Sequence, residues 1–138
     1  MICIIRISGQ VGMNHKVKET FKRMGLWRKY TCTVINPTKE KIGMLNKIRH
    51  HVAFGEINNQ TFEEIITNRG KAIDKKKKID VKKAAEGIAK GSKYEEFNLK
   101  PFFRLHSPRK GIKSKKNFPK GVLGNHKDKI NELVMRML

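Results

Sequence analysis

The residues best placed to do chemistry lie between Arg104 and Lys120, where Arg104, Arg109, Lys110, Lys113, Lys115, Lys116 and Lys120 follow one another at irregular spacing with no acidic side chain among them. That chemistry is binding. Cations on a backbone broken by Pro108, Gly111 and Pro119 form no regular charged face, but they can follow the uneven phosphate path of folded RNA. His106 and Phe118 supply rings for stacking on unpaired bases. A disordered, solvating tail is the competing reading of the same charge. It is disfavoured by Phe102, Phe103, Leu105, Ile112 and Phe118, interleaved where a solvating tail carries no apolar residues. Arg69-Gly70-Lys71 is a second candidate, since glycine lets backbone approach phosphate while the flanking cations neutralise it; a plain helix C-cap explains the same residues. The run Lys75 to Lys78 reads equally as a phosphate contact or as a solvated loop or import signal. Arg6 and Arg49, with Arg69, are the cations of the N-terminal half expected to share in an RNA contact.

Catalytic constellations are poor, and no catalytic residue is assigned. Glu63-Glu64 and Glu95-Glu96 are adjacent pairs whose carboxylates diverge, so neither has the facing geometry of an acid/base couple. Gly87 to Lys93 lacks the spacing and the preceding strand of a phosphate loop. Cys3 and Cys32 each sit inside an apolar alternating stretch and read as small core residues; His50 and His51 are adjacent and would point to opposite faces of a strand. No metal, cofactor or small-molecule substrate is expected, and the thiols are expected to be reduced, in the cytosol.

The elements that must position these residues follow from periodicity. Ile2 to Ile7 reads as a strand with Cys3, Ile5 and Ile7 on one face, followed by a helix capped by Asn14, with Val17, Phe21 and Met24 inward and Gly25 at its end. Tyr30 to Ile35 is a second strand. Thr38 caps a second helix with Ile42, Leu45 and Ile48 inward, and the strand His51 to Ile57 follows. A third helix takes Thr61 and Glu64 as a capping box, with Phe62, Ile65 and Ile66 inward. The β-α-β-α-β order predicts an α+β core over residues 1–70, with helices on one sheet face.

Residues 71–138 form a basic extension: a helix near 80–90 capped by Asp80, an extended RNA-binding arm over 99–121, and a C-terminal helix over 128–137. The charge is loaded there. Residues 1–70 carry 12 basic and 5 acidic side chains, and residues 71–138 carry 20 and 7. A formal charge of +20 on 138 residues demands a polyanionic partner. Nucleic acid suits better than a membrane, because no apolar run approaches the roughly 18 residues of a span, and Met1 to Ile7 is too short and too charged for a signal core.

In order and spacing, several motifs resemble the universal large-subunit ribosomal protein numbered thirty, in its longer archaeal and eukaryotic form (protein seven in eukaryotic nomenclature). They are Arg6-Ile7-Ser8-Gly9, Asn36, Gly43 to Ile48, Val52 to Asn58, Arg69-Gly70, Phe103 to Arg109, and the ending Leu123-Gly124-Asn125 with Ile130 to Leu138. The family commonly has tryptophan at the Phe54 position and a second glycine where Lys110 stands, and its stretch corresponding to 71–98 is often longer. The chain looks archaeal in type, without the long basic N-terminal extension of eukaryotic members. The resemblance implies a ferredoxin-like core with a three-stranded antiparallel sheet and no enzymatic activity. It further implies contacts to large-subunit ribosomal RNA near the small (5S-type) ribosomal RNA, among neighbouring ribosomal proteins. Two other classes carry the same charge: a chromatin or DNA architectural protein, and a small RNA-modifying enzyme on the same core. The first is disfavoured because no minor-groove wedge set or dimerisation heptad is visible.

Overall fold

The computed structural model of the chain describes residues 1–74 and 76–138. The Lys75–Lys78 run therefore begins outside the described residues.

Ile2-Cys3-Ile4-Ile5-Arg6 forms the central strand, β1 (Ile2–Arg6), apolar at four consecutive positions rather than at alternate ones. A strand of that kind needs cover on both faces. The strands β2 (Thr31–Ile35) and β3 (Val52–Glu56) flank it antiparallel, placing Ile5 between Cys32 and Ala53. Two further strands extend the sheet: β4 (Phe103–Arg104) lies antiparallel beside β2, and β5 (Gly124–Asn125) parallel beside β3. The order is β4-β2-β1-β3-β5. The α+β class and the antiparallel β2-β1-β3 centre agree with the ferredoxin-like expectation. The sheet itself has five strands, not three. Each added strand is two residues long, too short to show a period of two, and β4 lies between prolines that hide it.

Helices cover both faces, whereas one covered face was expected. On one side α1 (His15–Arg23) and α2 (Lys39–Ile48) bury Phe21, Leu45 and Ile48 against Ile4 and Val52. On the other, α3 (Asn59–Arg69), α4 (Val81–Lys90) and α5 (Ile130–Met135) bury Phe62, Ile65, Ala84, Ile88, Ile130 and Val134 in one cluster with Cys3, Ile5 and Ala53. That cluster also takes in Leu99, Phe103 and Leu105, so the second half of the chain is built into the core.

Local chemistry sets the helix starts in two cases. The Asn14 side chain accepts from Lys16 N at 3.1 Å and that of Thr38 from Lys41 N at 3.3 Å. Elsewhere the details differ from expectation. Helix α3 starts at Asn59, which puts Thr61 inside it and buried, not at a cap. Asp80 makes no cap bond; its carboxylate pairs with Lys83 at 3.1 Å. Ile42 faces outward on α2. A 3-10 turn, Lys127–Lys129, precedes α5, so the last helix is shorter than its apolar period suggests, although Ile130, Leu133, Val134 and Met137 are all buried.

The stretch 99–121 is irregular but not free along its first part. Leu105 N donates to Tyr30 O at 3.0 Å and His106 N to Met137 O at 3.1 Å, and the apolar side chains on either side of Arg104 hold it to the body. Expected as an arm, it is a strap that becomes a loop only beyond Ser107. Cys3 and Cys32 are buried free thiols with their sulfurs 3.3 Å apart; the mutual hydrogen bond and burial push the Cys32 pKa well up, which keeps it a thiol. Among the described residues no three His, Cys, Asp or Glu side chains group as metal ligands, and no helix is long and apolar enough to cross a membrane.

Candidate nucleic-acid interface

A loop that presents cations outward must first satisfy its own backbone. The loop from Pro108 to Leu123 does so in part, by bonds that tie its two sides together. Phe118 N donates to Leu123 O at 2.7 Å, Gly121 N to Asn117 O at 3.1 Å, Val122 N to Ser114 O at 3.1 Å and Leu123 N to Lys116 O at 3.1 Å. Ser114 Oγ adds a bond to Lys120 O at 2.9 Å. The closure is tight: a Cβ on Gly121 would run into the Lys116 backbone, so the position requires glycine. On this closed loop Lys113, Lys115, Lys116 and Lys120 stand exposed, and among the described residues none pairs with a carboxylate.

The loop is clamped at its root. The Arg136 guanidinium, just past α5, donates to Arg109 O at 2.8 and 3.1 Å and to Gly111 O at 2.9 Å, while Arg109 N bonds back to Arg136 O at 2.9 Å. Arg109 and Lys110 are exposed beside this clamp. Arg136 and Lys129 line a shallow 190 Å³ cleft together with Lys113 and Lys120. Sequence reasoning missed both. The signal was present, for Lys129 and Arg136 are seven residues apart, on one side of the last helical segment.

The two rings expected to be open for stacking are partly committed. Phe118 is half-buried against His126, ring centres 4.6 Å apart, with Lys129 Nζ 5.9 Å from its centre. The His106 ring is half-buried and its Nδ1 lies 2.6 Å from Ser107 O, a bond in which that nitrogen must carry the hydrogen.

The remaining cations scatter. Arg104 is exposed on β4 at the far edge of the sheet, and Lys71 is exposed after α3. Arg49 is exposed just past the end of α2, where its Nε donates to His50 Nε2 at 3.2 Å. Arg69 is only half-exposed: Nη2 donates to Leu138 O at 2.6 Å. Gly70 packs so closely on the Ile66 carbonyl that a Cβ has no room, which explains that glycine by helix packing rather than by phosphate. Arg6 departs furthest from expectation. It is buried, donating from Nε to Ser8 O (3.0 Å), from Nη1 to Leu26 O (2.7 Å) and Trp27 O (3.0 Å), and from Nη2 to Gly9 O (3.1 Å), with its guanidinium 4.2 Å from the Phe21 ring centre. Burial draws its pKa down from the usual arginine value. It binds loops of this protein, not a partner.

His126 anchors the loop. The ring is buried, its Nε2 is 2.8 Å from Val122 O, and burial lowers its pKa although that bond opposes the shift. Burial, followed by His50 and Arg6, lowers His51 in the same way. A histidine depressed in the fold stabilises above its unfolded pKa of about 6.5 and loses that contribution as pH falls through the folded value. The melting temperature is therefore expected to fall from pH 7 to pH 5. An H126Q variant should show a shallower decline in the same thermal scans.

A family model described as ribosomal protein L30p/L7e matches residues 2–52, which run from β1 through α2 to the start of β3. The large ribosomal subunit protein uL30 of Archaeoglobus fulgidus is 36% identical over 99% of this chain and 99% of its own length. The proteins of that name from Methanococcus maripaludis, 33% identical over 98% of this chain and 97% of theirs, and from Methanoregula boonei, 32% over 99% of both, extend the match through the loop and α5. On full-length similarity at this level, the chain belongs to the L30p/L7e family of ribosomal proteins.

Proposed function

We propose that the protein holds folded ribosomal RNA in the large ribosomal subunit chiefly through the loop from Arg109 to Lys120, with Arg49, Lys71 and Arg104 as outlying phosphate contacts. As a member of its family it is a structural constituent of that subunit, in the cytoplasmic ribosome, and not an enzyme. The observation that carries the RNA reading is a self-closed loop that turns four exposed lysines outward, on a chain of charge +20 whose only ion pairs among the described residues are Glu19–Arg23 and Asp80–Lys83. Neither pair draws on the loop. Proximity to the small (5S-type) ribosomal RNA and contacts with neighbouring ribosomal proteins complete the proposal.

Sedimentation tests it. The protein should travel with large subunits in one-to-one amount and be released only at high salt, because each phosphate contact returns about one counterion on release. A substoichiometric share in soluble fractions, unmoved by salt, would contradict it.

A further inference from the structure

We infer that the cleft between α2, the loop and β5 is a pocket for one unstacked adenine of the bound RNA, an inference that rests on the RNA-binding reading of the loop. Three separated pieces of chain build it: Asn46, Arg49 and His50 at the end of α2, Phe54 on β3, and Asn117, Phe118, Gly124 and Asn125 at the loop base and β5. Its 350 Å³ falls at the small end of the roughly 300–1,000 Å³ typical of small-molecule sites.

The chemistry of the lining is specific. Phe54, packed on the core cluster, and Phe118, packed on His126, are both half-buried and both line the cleft. Fixed aromatic faces are what an unstacked base binds. The side-chain amides of Asn46 and Asn117 have no protein partner among the described residues, and the Asn125 amide uses only its oxygen, which accepts from Lys127 N at 2.9 Å. A carboxamide offers a donor and an acceptor side by side, the pattern that meets N6 and N7 of adenine. At the rim, Arg49 has no carboxylate partner among the described residues, and its bond to His50 leaves both terminal nitrogens for the phosphate of the same nucleotide. An acidic peptide would satisfy Arg49 but leave the amides and rings without matching partners.

The test is base-specific methylation of large-subunit RNA bound to the full chain, comparing the parent with N46A/N117A and, separately, F54L, which keeps apolar bulk without the ring. The parent should protect one unpaired adenine. Both variants should lose that protection and bind about tenfold more weakly with the salt slope unchanged; melting should be unchanged for N46A/N117A and somewhat lowered for F54L, whose ring also packs on the core. Protection of the same bases by the double variant overturns the pocket, as does a parent that binds RNA yet shields no unpaired adenine. A parent that fails to bind RNA removes the loop reading, and the pocket with it.

Discussion

Replacing Arg6 by Leu is expected to cost at least about 3 kcal/mol of folding stability, because it removes four charge-assisted hydrogen bonds, to the buried Leu26 carbonyl and to the part-buried carbonyls of Ser8, Gly9 and Trp27, each worth about 1 kcal/mol or more. The melting temperature should drop by roughly 10 °C or more. R6K should recover only part of this, since an ammonium cannot reach acceptors spread around a planar guanidinium. Thermal unfolding by circular dichroism decides it. A shift below about 2 °C for R6L would mean that the guanidinium does not organise these loops, and would return Arg6 to the list of RNA contacts.

The second large effect is on binding. Changing Lys113, Lys115, Lys116 and Lys120 together to Gln should leave melting nearly unchanged, because all four side chains are exposed and hydrogen-bond to nothing in the fold. The same change should weaken binding to large-subunit RNA at least about tenfold and lower the slope of log affinity against log salt by up to about 4 units. Fluorescence anisotropy across a salt series measures both quantities. An unchanged slope would move the contact surface away from the loop, towards Arg49, Lys71 and Arg104.

What the sequence revealed and what it hid have physical reasons. Long elements with a clear period were legible: Phe21, Leu45, Ile48, Ile65 and Ile130 are all buried on the sides their spacing required. The second covered face was also written in β1, where Ile4 interrupts the alternation of Cys3 and Ile5, but a strand read by alternation alone discards that residue. The strands β4 and β5 were illegible, since two-residue pairings depend on tertiary register and not on local pattern. Arg6 misled for a different reason. A cation ending a strand ordinarily faces water, and only the convergence of residues 8–9 and 26–27 around it supplies the acceptors that let it be buried. Within the candidate interface, the loop lysines were found by charge alone. The clamp of Arg136 and the packing of Phe118 on His126 join residues 8 to 27 positions apart, beyond the reach of any local motif.

The central claim is that the 109–120 loop faces ribosomal RNA in the assembled subunit, and tethered cleavage addresses it directly. Cys3 and Cys32 are both fully buried, so an introduced surface cysteine can carry an iron chelate without competition from the native thiols. Chelate placed on the loop through K116C should cut large-subunit RNA strongly and at a confined set of nucleotides, whereas chelate on the exposed side of α3 through E64C should cut weakly. Strong cutting from Glu64→Cys with none from Lys116→Cys would contradict the account.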